Sequence, residues 1–109
     1  MSKYKARKVT IDGITFDSQK EANRYFELRL LERSGAIVDL QRQVRFVLIP
    51  AQKDANGKVI ERAVNYIADF VYYHNGGRVV EDAKGYRTPE YRLKKKMMLY
   101  FHSIKIKEV

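Results

Sequence analysis

Polar and apolar positions alternate along "KVTIDGITFD", with the alternation interrupted at Asp12-Gly13. Side chains of a strand point to opposite faces in turn, and Asp-Gly suits a type I′ turn, so residues 9–16 predict a β-hairpin. The period then changes. In "DSQKEANRYFELRLLERSG" the apolar residues Ala22, Tyr25, Phe26, Leu28 and Leu30 form one arc at 100° per residue, which predicts a helix. Asp17 or Ser18 supplies its N-cap, and Gly35 fits a left-handed C-terminal position.

Strand-like runs follow. "QRQVRFVLIP" stops at Pro50, "AQKDANGK" reads as a polar loop turning at Asn56-Gly57, and residues 59–73 make the longest strand candidate. Asn75-Gly76-Gly77 turns that strand into residues 78–84, so the three runs predict an antiparallel, twisted meander. "TPEYRLKKKMMLYFHS" predicts a second helix, with Thr88 as N-cap, Pro89 at its first position and Leu93, Met97, Tyr100 and Phe101 as the buried stripe. "IKIKEV" alternates and predicts a last strand returning to the sheet. The fold expected is mixed α/β (α+β), in the order α-β-β-β-α-β after the hairpin. Residues 9–109 form one domain behind a basic arm at 1–8, in which Lys3, Lys5, Arg7 and Lys8 stand ready for a nucleic-acid backbone.

Charge narrows the partner. Twenty-two Lys and Arg against thirteen Asp and Glu give a net charge of +9, which favours a polyanion, nucleic acid above all, over a mere aid to solubility. The absence of cysteine excludes disulfides and thiolate zinc sites, and fits an intracellular protein. No run approaches the roughly 18 apolar residues of a membrane span, and "MSKYKARK" has no apolar stretch after it, unlike a secretory signal.

The acids are the anomaly. Asp69 interrupts one strand-like run, and Glu81 and Asp82 interrupt the next, with Lys84 two residues on. Strands disfavour Asp, and a buried carboxylate is costly unless paired or metal-bound. Alternation puts Val80, Asp82 and Lys84 on one face and Val79, Glu81 and Ala83 on the other, while Asp69 shares a face with Ile67 and Val71. Glu21 opens the first helix on the side that meets the sheet. Glu21, Asp69 and Asp82 converging beside Lys84 would repel one another, and a divalent cation relieves that. Oxygen ligands without Cys favour magnesium or manganese over zinc. Such a site suits phosphodiester hydrolysis, with Lys84 orienting or deprotonating the attacking water or neutralising developing charge. Each acid also has an ordinary explanation. Ser18-x-x-Glu21 is a capping-box pattern, Asp82 and Lys84 make a same-face ion pair, Asp69 suits a bulge, and Glu81 is structural.

Asp69, a dozen residues, then Asp82-Ala83-Lys84 resembles the PD-(D/E)XK nuclease motif, and "FDSQKEANRYFEL" resembles that superfamily's first helix. More narrowly, the chain is similar to small phage-encoded proteins of uncharacterised function assigned there. The resemblance implies a restriction-endonuclease-like core and a Mg2+- or Mn2+-dependent DNA endonuclease. Glu21, Asp69, Asp82 and the Ala83 carbonyl would hold the metal, and Lys84 would be the motif lysine. Ala68 stands where the motif has proline, and Asp82 where it more often has glutamate. The resemblance also implies work in recombination, replication or DNA processing, on branched DNA among other substrates, in the cytoplasm of a bacterial host. A homodimer would suit symmetric junction cutting.

For substrate grip, the start of the second helix offers Tyr86, Arg87 and Thr88, with Arg92, Lys94, Lys95 and Lys96 fanning around the helix. Lys94 points between Met98 and Phe101, toward the site or past the core edge. His74 and His102 do not pair as metal ligands by spacing. The competing reading is a non-catalytic DNA- or RNA-binding module that uses "YIADFVYY" as a stacking surface.

Overall fold

The computed structural model of the chain describes residues 7–83 and 87–109. Lys3 and Lys5 of the basic arm, and Lys84, Gly85 and Tyr86 after the second acid, lie outside the described residues.

β1 (Val9–Ile11) and β2 (Ile14–Phe16) pair antiparallel, Val9 opposite Phe16. Asp12 and Gly13 between them both take positive φ, 52° and 78°, as a type I′ turn requires. α1 (Gln19–Arg33) starts at Ser18, whose Oγ accepts from the Glu21 amide at 3.1 Å, and stops ahead of Gly35 at φ 84°. Its inward face is partly charged. Glu21 is buried with Ala22, Tyr25 and Leu28, whereas Leu30, expected in the apolar arc, is 65% exposed. Leu30 lies past the helix's line of contact with the sheet, which Tyr25 and Leu28 occupy.

The central sheet has the order β3-β6-β7-β8, from β3 (Val38–Ile49), β6 (Val64–His74), β7 (Gly77–Asp82) and β8 (Lys107–Glu108). The first three strands form the antiparallel meander, and β8 returns parallel to β7, with Glu81 opposite Lys107. The single strand expected over 59–73 is divided. β5 (Val59–Glu61) leaves the sheet to pair with β4 (Gln52–Lys53) in a separate hairpin. Asp54 Oδ1 closes that hairpin by accepting from the amides of Asn56 at 2.9 Å and Lys58 at 3.0 Å. All of residues 51–62 are exposed, so no burial holds them in the main sheet.

Two apolar clusters lie on opposite faces of the sheet. Phe16, Tyr25, Leu28, Phe70 and Tyr72 pack with α1. Leu48, Tyr66, Ala68, Val71, Tyr91 and Met98 pack with α2 (Pro89–His102), which Thr88 caps by accepting from the Tyr91 amide at 3.0 Å. The stripe expected to be buried on α2 is not the one that is. Tyr91 and Met98, seven residues apart on one face, meet the sheet, while Leu93, Tyr100 and Phe101 are exposed on the other side and Met97 is half-buried.

The strands exchange faces midway. Tyr66 and Ala68 pack toward α2, yet Phe70 and Tyr72, of the same parity, pack toward α1. On β3, Leu40 lies toward α1 and Val44, Phe46 and Leu48 toward α2. Between Arg42↔Phe70 and Val44↔Ala68 stand Gln43 and Asp69, and Gln43 has φ 53° inside the strand. A left-handed residue there breaks the period of two, so simple alternation placed Asp69 wrongly with Ile67 and Val71. Ile67 is in fact exposed, while Asp69 is buried at the crossover.

Candidate active site

Asp69 and Glu21 meet at the crossover. The Gln43 side-chain amide donates to Glu21 Oε2 at 2.9 Å and reaches Asp69 Oδ1 at 3.4 Å, so one NH2 group spans both carboxylates. Glu21 Oε1 accepts from the Asp17 amide at 2.9 Å. Glu21 therefore does both jobs its position allowed: it helps to cap α1, and it faces the sheet. Asp69 Oδ2 accepts from the Ala83 amide at 2.7 Å, which ties it to the chain one residue past Asp82. Glu21 is 2% exposed and Asp69 7%.

Burial pushes the Glu21 carboxyl up, the Asp17 amide opposes this, and the hydrogen bond and charge of Asp69 add to it, leaving it at about 7. Two carboxyl groups in partial desolvation, held by a neutral amide, are short of positive charge. That donor chemistry fits a hard divalent cation.

Asp82 lies on the α2 side, fully buried, with Tyr66 OH donating to its Oδ2 at 2.6 Å. Burial raises the Tyr66 phenol, the Asp82 hydrogen bond and charge raise it further, and Asp69 contributes too, so both aspartates bear on one hydroxyl. Among the described residues, no group of three or more His, Cys, Asp or Glu side chains is placed to hold a metal ion. The structure brings Glu21 and Asp69 together; Asp82 it sets beside Tyr66. Ala83 is buried, with its amide on Asp69. Lys84 and Tyr86 lie outside the described residues.

Glu81 points the other way, as alternation requires. Arg24 of α1 grips it with two hydrogen bonds, 2.8 Å from Nε and 2.7 Å from Nη2, and Tyr72 OH donates to it as well. Glu81 is the main reason that the Arg24 guanidinium is raised, and burial followed by Glu81 pushes the Tyr72 phenol up to about 12. This network joins the helix bearing Glu21 to the strand bearing Asp82.

The expected basic face of α2 is divided between two sides of the helix. Arg87, Arg92, Lys95, Lys96 and Leu99 line one cleft, where Glu108 holds Arg87 at 2.8 Å and Lys95 at 3.3 Å. Lys94 lines a different cleft with Thr88, and Glu90 holds it at 3.0 Å. His102 Nε2 bonds to the Val47 carbonyl at 2.7 Å, consistent with an end-of-helix role.

Sequence reasoning missed Gln43 and Tyr66. "QRQVRF" reads as an ordinary strand, and nothing in its pattern reveals the left-handed residue that aims Gln43 at the acids. Tyr66 reads only as part of the stacking surface "YIADFVYY", and the folded register alone sets its hydroxyl on Asp82.

No helix among the described residues is long and apolar enough to cross a membrane. No curated protein and no solved structure matches the chain. A family model described as protein of unknown function (DUF1064) matches residues 1–109, the whole sequence. The chain therefore belongs to the DUF1064 family.

Proposed function

We propose that the protein is a metal-dependent DNA endonuclease, using magnesium or manganese to hydrolyse phosphodiester bonds. The observation that carries this reading is the meeting of buried Glu21 and Asp69 on the Gln43 amide, in a chain of net charge +9. The resemblance of Asp69 and Asp82-Ala83-Lys84 to the PD-(D/E)XK motif supports it from the sequence side.

Glu21 and Asp69 would hold the cation from the pair already formed, and Asp82 with the Ala83 carbonyl enters its shell on the resemblance alone. Bound there, it would polarise a non-bridging phosphate oxygen and lower the pKa of a water. Gln43 keeps the two carboxylates of the pair at a fixed separation, and the Ala83 amide fixes the rotation of Asp69. Tyr66 orients Asp82 from the α2 side. Lys84, on the resemblance, would orient or deprotonate the attacking water or neutralise charge on the phosphate. Arg92 and Lys96, which have no carboxylate within ion-pair distance among the described residues, would take backbone phosphates beside the site. Work on branched DNA in recombination, replication or DNA processing belongs to the same proposal.

The binding-module alternative loses its stacking surface. Tyr66, Phe70, Val71 and Tyr72 of "YIADFVYY" are all buried, so the strand presents no row of aromatic faces to bases. Purified protein incubated with labelled duplex, flap, junction and single-stranded DNA, with magnesium, manganese or chelator, tests the proposal. Metal-dependent cuts that vanish in Asp82→Asn, while that variant melts like the parent, are expected. A parent that cuts nothing across the panel would return the protein to the binding class.

A further inference from the structure

On the α2 side of the sheet, a cleft of about 390 Å3 runs between β6 and the first turns of α2. Arg45, Asn65, Tyr66, Ile67, Lys94 and the acidic Glu90 are among its walls, and of these Arg45, Asn65 and Glu90 were in no expected ligand surface. Its volume is at the small end of the range that encloses organic ligands, enough for one nucleotide rather than a duplex.

Three features of the cleft point to a nucleotide. Tyr66 is shared: it lines the cleft, and its hydroxyl is on Asp82, so one side chain links the cleft to a proposed metal ligand. Its charge is cationic, with Arg45 free of carboxylates among the described residues and Lys94 shared with the exposed Glu90. A phosphate between Arg45 and Lys94 would complete the charge balance that Glu90 only begins, and a guanidinium suits a phosphate better than an ammonium does. The third feature combines surface and acceptor. Ile67 is 46% exposed at the cleft, an apolar contact for a sugar or base, and Asn65 Oδ1 in its wall is buried without a hydrogen-bond partner among the described residues. A buried unpaired acceptor is costly, and a donor from the ligand's base or sugar, met by a turn of the Asn65 amide, would offset that cost.

We infer that this cleft seats the nucleotide flanking the scissile phosphate, with Arg45 and Lys94 on its phosphate and Ile67 against its sugar or base. The inference rests on the nuclease reading for the word scissile, but not for the binding itself.

Fluorescence anisotropy of a labelled DNA duplex and of its single strand, titrated with full-length protein in chelator, separates the two. Arg45→Ala and Ile67→Ser change exposed side chains, and circular dichroism and melting temperature would confirm their folding. Each should weaken binding by about three- to tenfold, and only Arg45→Ala should also flatten the salt dependence, by about 0.9 in slope for one lost phosphate contact. Arg33→Ala, an equal charge loss on the last turn of α1, should bind like the parent. With magnesium, Arg45→Ala should raise KM and leave kcat unchanged. Parental affinity in both cleft variants, or an equal loss in Arg33→Ala, would overturn the cleft. Should the parent cut DNA while the cleft variants bind and cut like it, the nuclease reading survives and the cleft does not. Should nothing cut while the affinity losses hold, the cleft survives and the nuclease reading does not.

Discussion

Glu21→Gln tests the electrostatics of the site before any catalysis is measured. A carboxyl moved from 4.5 to about 7 carries at most about 3 kcal/mol of pH-dependent stability. The sign follows from the direction of the shift. The folded chain keeps the proton longer than the unfolded one, so the stabilisation is fully present below 4.5, fades as pH rises and is gone above about 7. The variant cannot titrate and lacks this loss. It has its own fixed cost, because Asp17 and Gln43 both donate to Glu21, and a glutamine there offers one acceptor oxygen instead of two. That misfit costs about 1 kcal/mol at any pH, unless Gln43 turns its own oxygen inward. The variant should therefore melt slightly below the parent near about pH 5 and above it near about pH 8. At about 4–8 °C per kcal/mol for a domain of this size, the roughly 2.5 kcal/mol of linkage between the two should move the difference in melting temperature by about 10–20 °C. Thermal melts in chelator followed by circular dichroism measure it. A difference that stays constant with pH would refute the assignment of the shift to Glu21. Magnesium or manganese added near about pH 8 should then raise the melting temperature of the parent well beyond that of the variant, since only the parent keeps the ligand pair. Equal responses would remove Glu21 from the metal site.

Glu81→Gln should be a stability variant rather than a catalytic one: losing the charge that Arg24 grips should cost about 2–4 kcal/mol by denaturant titration, with kcat of the folded fraction near the parental value. A dead but fully stable Glu81→Gln would mean that the catalytic face of β7 is the one toward α1. Neutralising Arg92 and Lys96 together should weaken DNA binding and reduce the salt slope by about 1–2, whereas Arg87 and Lys95, already held by Glu108, should contribute less per residue. An unchanged slope would move the DNA path off that side of α2. Tyr66→Phe removes the donor to buried Asp82 and should cost about 1–3 kcal/mol in stability along with a reduced kcat; a variant as stable and as active as the parent would show that Tyr66 does not position Asp82.

Much of the architecture was legible because local chemistry determined it. Asp12-Gly13 made its type I′ turn, Ser18 and Thr88 capped their helices, and Val79 and Glu81 took the face opposite Val80 and Asp82, since caps, turns and short-range alternation depend on neighbours in sequence. The anomaly of acids in strand-like runs was legible too, and it led to Glu21 and Asp69, which the structure brings together. Tertiary packing decided the rest. A helix with apolar residues on more than one side leaves open which stripe meets the sheet, and α2 buried Tyr91 and Met98 while leaving Leu93 and Tyr100 outside. The separation of residues 59–61 from β6 depended on which part of an apolar run found a partner with a buried face. Above all, the left-handed turn of Gln43 within β3 is a cost that a strand accepts only where surrounding contacts hold it, and no periodicity announces it. That one residue reverses the faces of two strands and brings an amide across Glu21 and Asp69, acids 48 positions apart in a sequence that by itself shows only that they are there.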